Sequence, residues 1–176
     1  MVAQIEPALL KPRIARKLPR GIVQVFTTPE RSFPTDVMVN AMRVASQGNK
    51  VLIVQFFQGG IGQGLGSPVK LVENLQWLRA DLGRNLDLAA PCLESQERSN
   101  ILALWSFTAK ALASGDYHLL VLDELMELIT WDLVPEAVLL GAIEDRSDHT
   151  SVVVTGVNVP QTLLAIADQV THRRIS

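Results

Sequence analysis

Two short stretches of this 176-residue chain bring together residue types that do ligand chemistry. In Thr27-Thr28-Pro29-Glu30-Arg31-Ser32-Phe33-Pro34-Thr35, a turn follows the first apolar run; Thr27, Thr28, Ser32 and Thr35 supply hydroxyls and Arg31 a guanidinium. These five are candidate binding residues for an anion. Pro29 and Pro34 work against that role, because proline has no N–H to donate, and Glu30 sets a carboxylate beside Arg31. The second stretch, Asp123-Glu124, places two adjacent carboxylates at the end of the apolar run Leu119-Leu120-Val121-Leu122.

Other chemistries lack their residues. His118, His149 and His172 stand singly, without ligand spacing to one another or to Cys92, so no zinc or iron site is expected. The serines, Ser99 and Ser106 among them, lack the strand-to-helix elbow of a hydrolase nucleophile. Gly59-Gly60-Ile61-Gly62-Gln63-Gly64 imitates part of a dinucleotide fingerprint, but its glycine spacing is wrong and it follows the second strand, so a mobile loop is expected. Cys92 has no second cysteine to bridge and reads as a small packed residue in a reducing, cytosolic setting. Trp77, Trp105 and Trp131 read as core or interface anchors.

The elements that must position the two stretches alternate in type. Strands are expected at Ile22 to Phe26, at Val51 to Phe57 (a central one, apolar almost throughout), at Leu86 to Ala89, His118 to Leu122, Ser151 to Thr155 and Gln169 to Arg173. Between them helices are expected from Pro34 to Gly48, from Ser67 through Leu71, Leu75, Leu78 and Leu82, from Glu94 to Ser114, from Pro135 to Glu144 and from Gln161 to Ala167. Alternation of this kind builds right-handed crossovers around a mostly parallel sheet with helices on both faces. Ligands of such sheets bind at the carboxyl ends of the strands, which points to the loops after Phe26, Phe57, Leu122 and Thr155.

Hydrophobic residues make up 48% of the chain, yet no apolar run reaches the roughly 20 residues that span a bilayer. The formal charge of −2 hides an asymmetry: the first twenty residues carry +4 through Lys11, Arg13, Arg16, Lys17 and Arg20 against Glu6. Residues 1–20 are therefore read as a flexible, solvated basic arm, with docking on an acidic protein partner, a nucleic acid or an anionic membrane surface as the alternatives, and residues 21–176 as one domain. The arm has no aromatic residue to stack on bases, so nucleic acid is not the expected partner.

Four blocks resemble one family: Gly21 to Gly59, Leu119-Leu120-Val121-Leu122-Asp123-Glu124-Leu125, Val152-Val153-Val154-Thr155-Gly156, and Ala167-Asp168-Gln169-Val170-Thr171. They are similar to the P-loop type of corrinoid adenosyltransferase, with a weaker likeness between Ser67 and Ser114. The resemblance implies a three-layer P-loop NTPase-like α/β fold and a homodimer. It also implies transfer of the 5′-deoxyadenosyl group of ATP to a reduced corrinoid, with Mg²⁺ or Mn²⁺. It makes the turn after the first strand the phosphate loop and Asp123 and Glu124 the former metal residues.

The family's loop is rich in glycine and lysine and ends in a hydroxyl, so that backbone N–H groups wrap the phosphates while lysine adds charge. Here Phe33 takes the lysine position, Pro34 the first hydroxyl position and Ser32 the glycine before them, with Thr35 a hydroxyl one place late. Gln58 stands where the family often has lysine, and Gly156-Val157-Asn158 replaces its glycine–arginine step. A lysine–phosphate pair at 4 Å near a surface is worth about 4 kcal/mol before desolvation, or roughly three orders of magnitude in affinity. The expected function is therefore a non-catalytic binding or regulatory protein on this fold, with no bound cofactor and Asp123 and Glu124 retained for structure. The alternatives are an active adenosyltransferase using ATP and a metal, and a corrinoid carrier or sensor.

Overall fold

The computed structural model describes residues 20–59, 62–87 and 92–173. Nearly all of the basic arm, residues 1–19, lies outside them. The strands are β1 (Val23–Thr27), β2 (Val51–Gln55), β3 (Val69–Val72), β4 (Leu75–Arg79), β5 (Leu119–Asp123), β6 (Ser151–Gly156) and β7 (Gln169–His172). The helices are α1 (Thr35–Ser46), α2 (Ser95–Ser114), α3 (Glu127–Thr130), α4 (Glu136–Glu144) and α5 (Gln161–Ile166). One seven-stranded sheet runs β3-β4-β2-β5-β6-β1-β7, and β3 alone is antiparallel to its neighbour.

Alternation along each interior strand sorts the core into two layers. Val51 and Ile53 of β2, Leu119 and Val121 of β5 and Val153 of β6 pack on Val37, Ala41 and Ala45 of α1. The intervening residues Leu52, Val54, Leu120, Leu122, Val152 and Val154 face the opposite layer, where α2, α3, α4 and α5 bring Leu104, Leu128, Ile143 and Leu163. Every residue of β2 and of β5 is buried, as strands covered on both faces must be. The result is the α/β architecture with helices on both faces that the sequence implies. Among the described residues no helix is long and apolar enough to cross a membrane.

Local chemistry fixes the helix ends. Pro34 precedes α1 in extended backbone and buries its ring, Glu94 and Glu97 form a capping box at the start of α2, and Gly115 ends α2 in the left-handed region at φ 74°.

The helix expected between Ser67 and Leu82 is a correction. The segment is the β3–β4 hairpin, in which Leu75 and Leu78 are buried while Leu71 is 43% exposed. Four leucines at helical spacing also suit a hairpin that turns at Glu73-Asn74, and pairing of β4 along the whole of β2, from Val51↔Leu75 to Gln55↔Arg79, decides the outcome. The strand expected at Leu86 to Ala89 does not begin: Leu86 and Asp87 belong to no strand, and residues 88–90 lie outside the described ones. Cys92 is exposed rather than packed. Trp105 and Trp131 are core residues, at 8% and 9% exposure, and Trp77 is half-buried.

Leu120 sits in the middle strand with no solvent exposure. Leu120→Ala should cost about 2–5 kcal/mol, while Val138→Ala, at a position 54% exposed, should stay within about 0.5 kcal/mol. Urea unfolding followed by circular dichroism measures both.

Candidate functional site

Parallel pairing lines up residues at the carboxyl ends of four strands. Gln55 of β2 pairs with Asp123 of β5 and with Arg79 of β4, and Asp123 pairs with Thr155 of β6. Residues in one register row share a face, and this row lies on the face of α1, because Ile53, Val121 and Val153 two positions earlier pack there. The apolar strands therefore end in a polar edge beside the turn that leads into α1.

The edge is one hydrogen-bonded chain. The Thr155 hydroxyl donates to Asp123 Oδ1 at 2.5 Å and Gln55 Nε2 donates to Asp123 Oδ2 at 2.8 Å. Gln55 Oε1 accepts from Trp77 Nε1 at 2.9 Å and from Arg79 Nε at 2.8 Å. The Arg79 guanidinium lies 5.2 Å from the Trp77 ring centre, and Phe33 stacks on Trp77 at 6.3 Å and 28°. Burial raises the Asp123 carboxyl to about 6, opposed by its hydrogen bonds from Thr155 and Gln55. Burial likewise raises the Glu127 carboxyl, helped by the neighbouring charge of Glu124.

Glu124 follows β5 at φ 58°, a left-handed conformation that an L side chain adopts only where its surroundings hold it. Its N–H donates to Thr155 O at 3.0 Å, and its side chain is 4% exposed. The compensating cation is Arg31, whose Nε donates to Glu124 Oε1 and whose Nη2 donates to Oε2 at 2.9 Å. The same guanidinium donates through Nη1 to Leu86 O at 2.5 Å and through Nη2 to Phe57 O at 2.9 Å. The hydrogen bond to Glu124 raises the Arg31 pKa further, with burial opposing it. Arg31 thus spends its charge on Glu124 and not, as its neighbourhood in the sequence suggests, on Glu30, which is exposed.

The other candidates in the turn are engaged elsewhere or face solvent. The Thr27 hydroxyl pairs with His172 Nδ1 at 2.8 Å, and the buried Thr28 hydroxyl has no protein partner. Ser32 and Thr35 are exposed. At the start of α1 the Val37 N–H donates to Asp36 Oδ1 at 3.0 Å, and Asp36 also pairs with Arg173 at 2.7 Å, so a carboxylate of the chain occupies the positive end of that helix.

Sequence reasoning named Arg31, Asp123 and Glu124 and missed the Gln55–Trp77–Arg79 branch. Its signal was present as polar residues that end apolar strands, but the register that joins them is a tertiary fact. The donor set does not suit a metal-chelated phosphate: both oxygens of Asp123 and both of Glu124 already accept hydrogen bonds. Among the described residues no group of three or more His, Cys, Asp or Glu side chains is arranged to hold a metal ion.

The raised Asp123 value has a stability consequence. Between its ordinary 3.8 and about 6 the folded state holds a proton that the unfolded state has released, so stability falls as pH rises through this window. At pH 7 the penalty is about 3 kcal/mol. Asp123→Asn can still accept from Gln55 Nε2 and can donate to the Thr155 hydroxyl, whose proton rotates away, without charge, so wild type should lose stability relative to this variant by about that amount between pH 4 and 7. Urea midpoints across the pH series measure it, and parallel curves would refute it.

The geometry can be set beside known proteins. The model of the ATP:corrinoid adenosyltransferase family BtuR/CobO/CobP matches residues 19–175. The corrinoid adenosyltransferase CobA of Salmonella typhimurium is 26% identical over 163 residues, covering 88% of this chain and 77% of that protein, and the corrinoid adenosyltransferase of Escherichia coli K12 gives the same figures. An uncharacterized protein of Nostoc, all2391, is 32% identical over 72 residues, 41% of this chain and 19% of that protein. With a match along nearly its whole length and the parallel sheet to go with it, this chain belongs to the corrinoid adenosyltransferase family.

Proposed function

We propose that this chain is a non-catalytic member of the family, a binding or regulatory protein that does not hold ATP in the phosphate loop. The observation that carries the reading is the internal satisfaction of the crevice: Arg31 neutralises Glu124 and donates to Leu86 O and Phe57 O. A triphosphate entering there meets a turn with two prolines and finds Phe33, stacked on Trp77, in the place of the family's lysine. Taking Arg31 away from Glu124 would strand a carboxylate that is 4% exposed, at a cost of about 3–5 kcal/mol.

By kinship we read the protein as a cytosolic homodimer. The basic arm is its contact with a protein partner, and the acidic balance of the rest of the chain leaves nucleic acid out. No cofactor is part of this reading.

The second reading, an active corrinoid adenosyltransferase, is favoured by Asp123 and Glu124 standing together at the end of β5 and by the similarity to the Salmonella and Escherichia coli corrinoid adenosyltransferases. Anaerobic incubation of the full chain with ATP, Mg²⁺ and reduced cobalamin separates the two, with the Salmonella relative as positive control. The proposed reading expects no adenosylated product from this chain under conditions in which the control converts its substrate, and product formation would overturn it.

A further inference from the structure

We propose that Arg31 is an internal clasp that holds four loops of the crevice closed with no ligand present, doing from within the chain what a bound ligand does in an open site. Its guanidinium bonds to the three loops other than its own. Arg31 belongs to the β1–α1 loop, Phe57 to the β2–β3 loop, Leu86 to the β4–α2 loop and Glu124 to the β5–α3 turn. No other side chain among the described residues is shown bonding to three such loops at once. The proposal deepens the non-catalytic reading, since a site already closed on its own side chain has no ordering left for a nucleotide to perform.

The loops the clasp gathers are pressed together. A Cβ on Gly59 would meet Arg84 O at 2.3 Å and the Leu82 Cβ at 2.5 Å, so the β2–β3 loop passes against the β4–α2 loop with no room for a side chain. The Gly59 N–H donates to Asn85 Oδ1 at 3.0 Å across the same boundary. On the other side, Thr28 N–H donates to Gly156 O at 3.1 Å and Glu124 N–H to Thr155 O at 3.0 Å, which ties the first and last members of the set to β6. Each tie is a single bond. Among the described residues the guanidinium is the one group shown to span them.

A clasp of this kind blocks the site as well as shaping it. An anion that takes over the charge of Arg31 must displace Glu124, and a cation that takes over Glu124 must displace Arg31, so either exchange is coupled to loosening of the loops that the guanidinium joins.

Amide hydrogen exchange followed by NMR on the full chain tests the clasp. The reporters are the Thr28, Gly59 and Glu124 amides, and Val121 in the middle of β5 gives the global reference. Arg31→Ala alone leaves Glu124 buried without a counter-charge and risks general destabilisation, so Arg31→Met with Glu124→Gln is the decisive variant, since it removes both charges at similar volume. The clasp predicts that in the double variant the three reporters exchange at least about tenfold faster while Val121 stays within about threefold of wild type. Reporters that stay within threefold, or that rise only in step with Val121, would overturn it. If adenosylated product formed while the reporters still sped up, the non-catalytic reading would fall and the clasp would stand.

Discussion

The pairing of Arg31 with Glu124 is the constraint around which the crevice is arranged. Glu124 sits in left-handed backbone at the end of the middle strand, almost wholly out of solvent. A carboxylate in that position needs a counter-charge, and the chain supplies one from the turn after β1. Removing one member of such a pair costs about 3–5 kcal/mol, whereas exchanging the whole pair for well-packed apolar groups is often neutral. The pair therefore contributes less to net stability than to position: it fixes where the turn, the β5 end and the two loops beside them lie.

The polar edge next to it follows from the sheet. Parallel strands run in register, so Thr155, Asp123 and Gln55, which follow the apolar runs of β6, β5 and β2, arrive in one row with Arg79 of β4 and bond to one another, with Trp77 joined through Gln55. Asp123 ends between two donors and no direct cation partner, which is why burial dominates its titration. Trp77, reached through the same amide, carries Phe33 on its ring and so anchors the turn that leads into α1.

Much of the architecture was legible in the residues. The strand at Val51, the long helix before Gly115 and the run that ends at Asp123 declare themselves because their burial is written locally, as unbroken apolar stretches or as a left-handed glycine stop. The hairpin at Val69–Arg79 did not, because its leucines fit two periods and only pairing with β2 chooses between them. In the site, Arg31, Asp123 and Glu124 stood out as types, but the partner of Arg31 lies 93 positions away in the chain. A pattern of neighbours pointed to Glu30 instead. Kinship is shown along residues 19–175, while the turn after β1 carries two prolines, a phenylalanine stacked on Trp77 and an arginine bonded to Glu124.

The central claim is that the charges of the crevice are already satisfied by the chain itself, and nucleotide affinity tests it most directly. Isothermal titration of the full-length protein with Mg-ATP, alongside the Salmonella relative as a binding control, should give no saturable heat for this chain at nucleotide concentrations that saturate the control. A saturable isotherm with micromolar Kd would contradict the account.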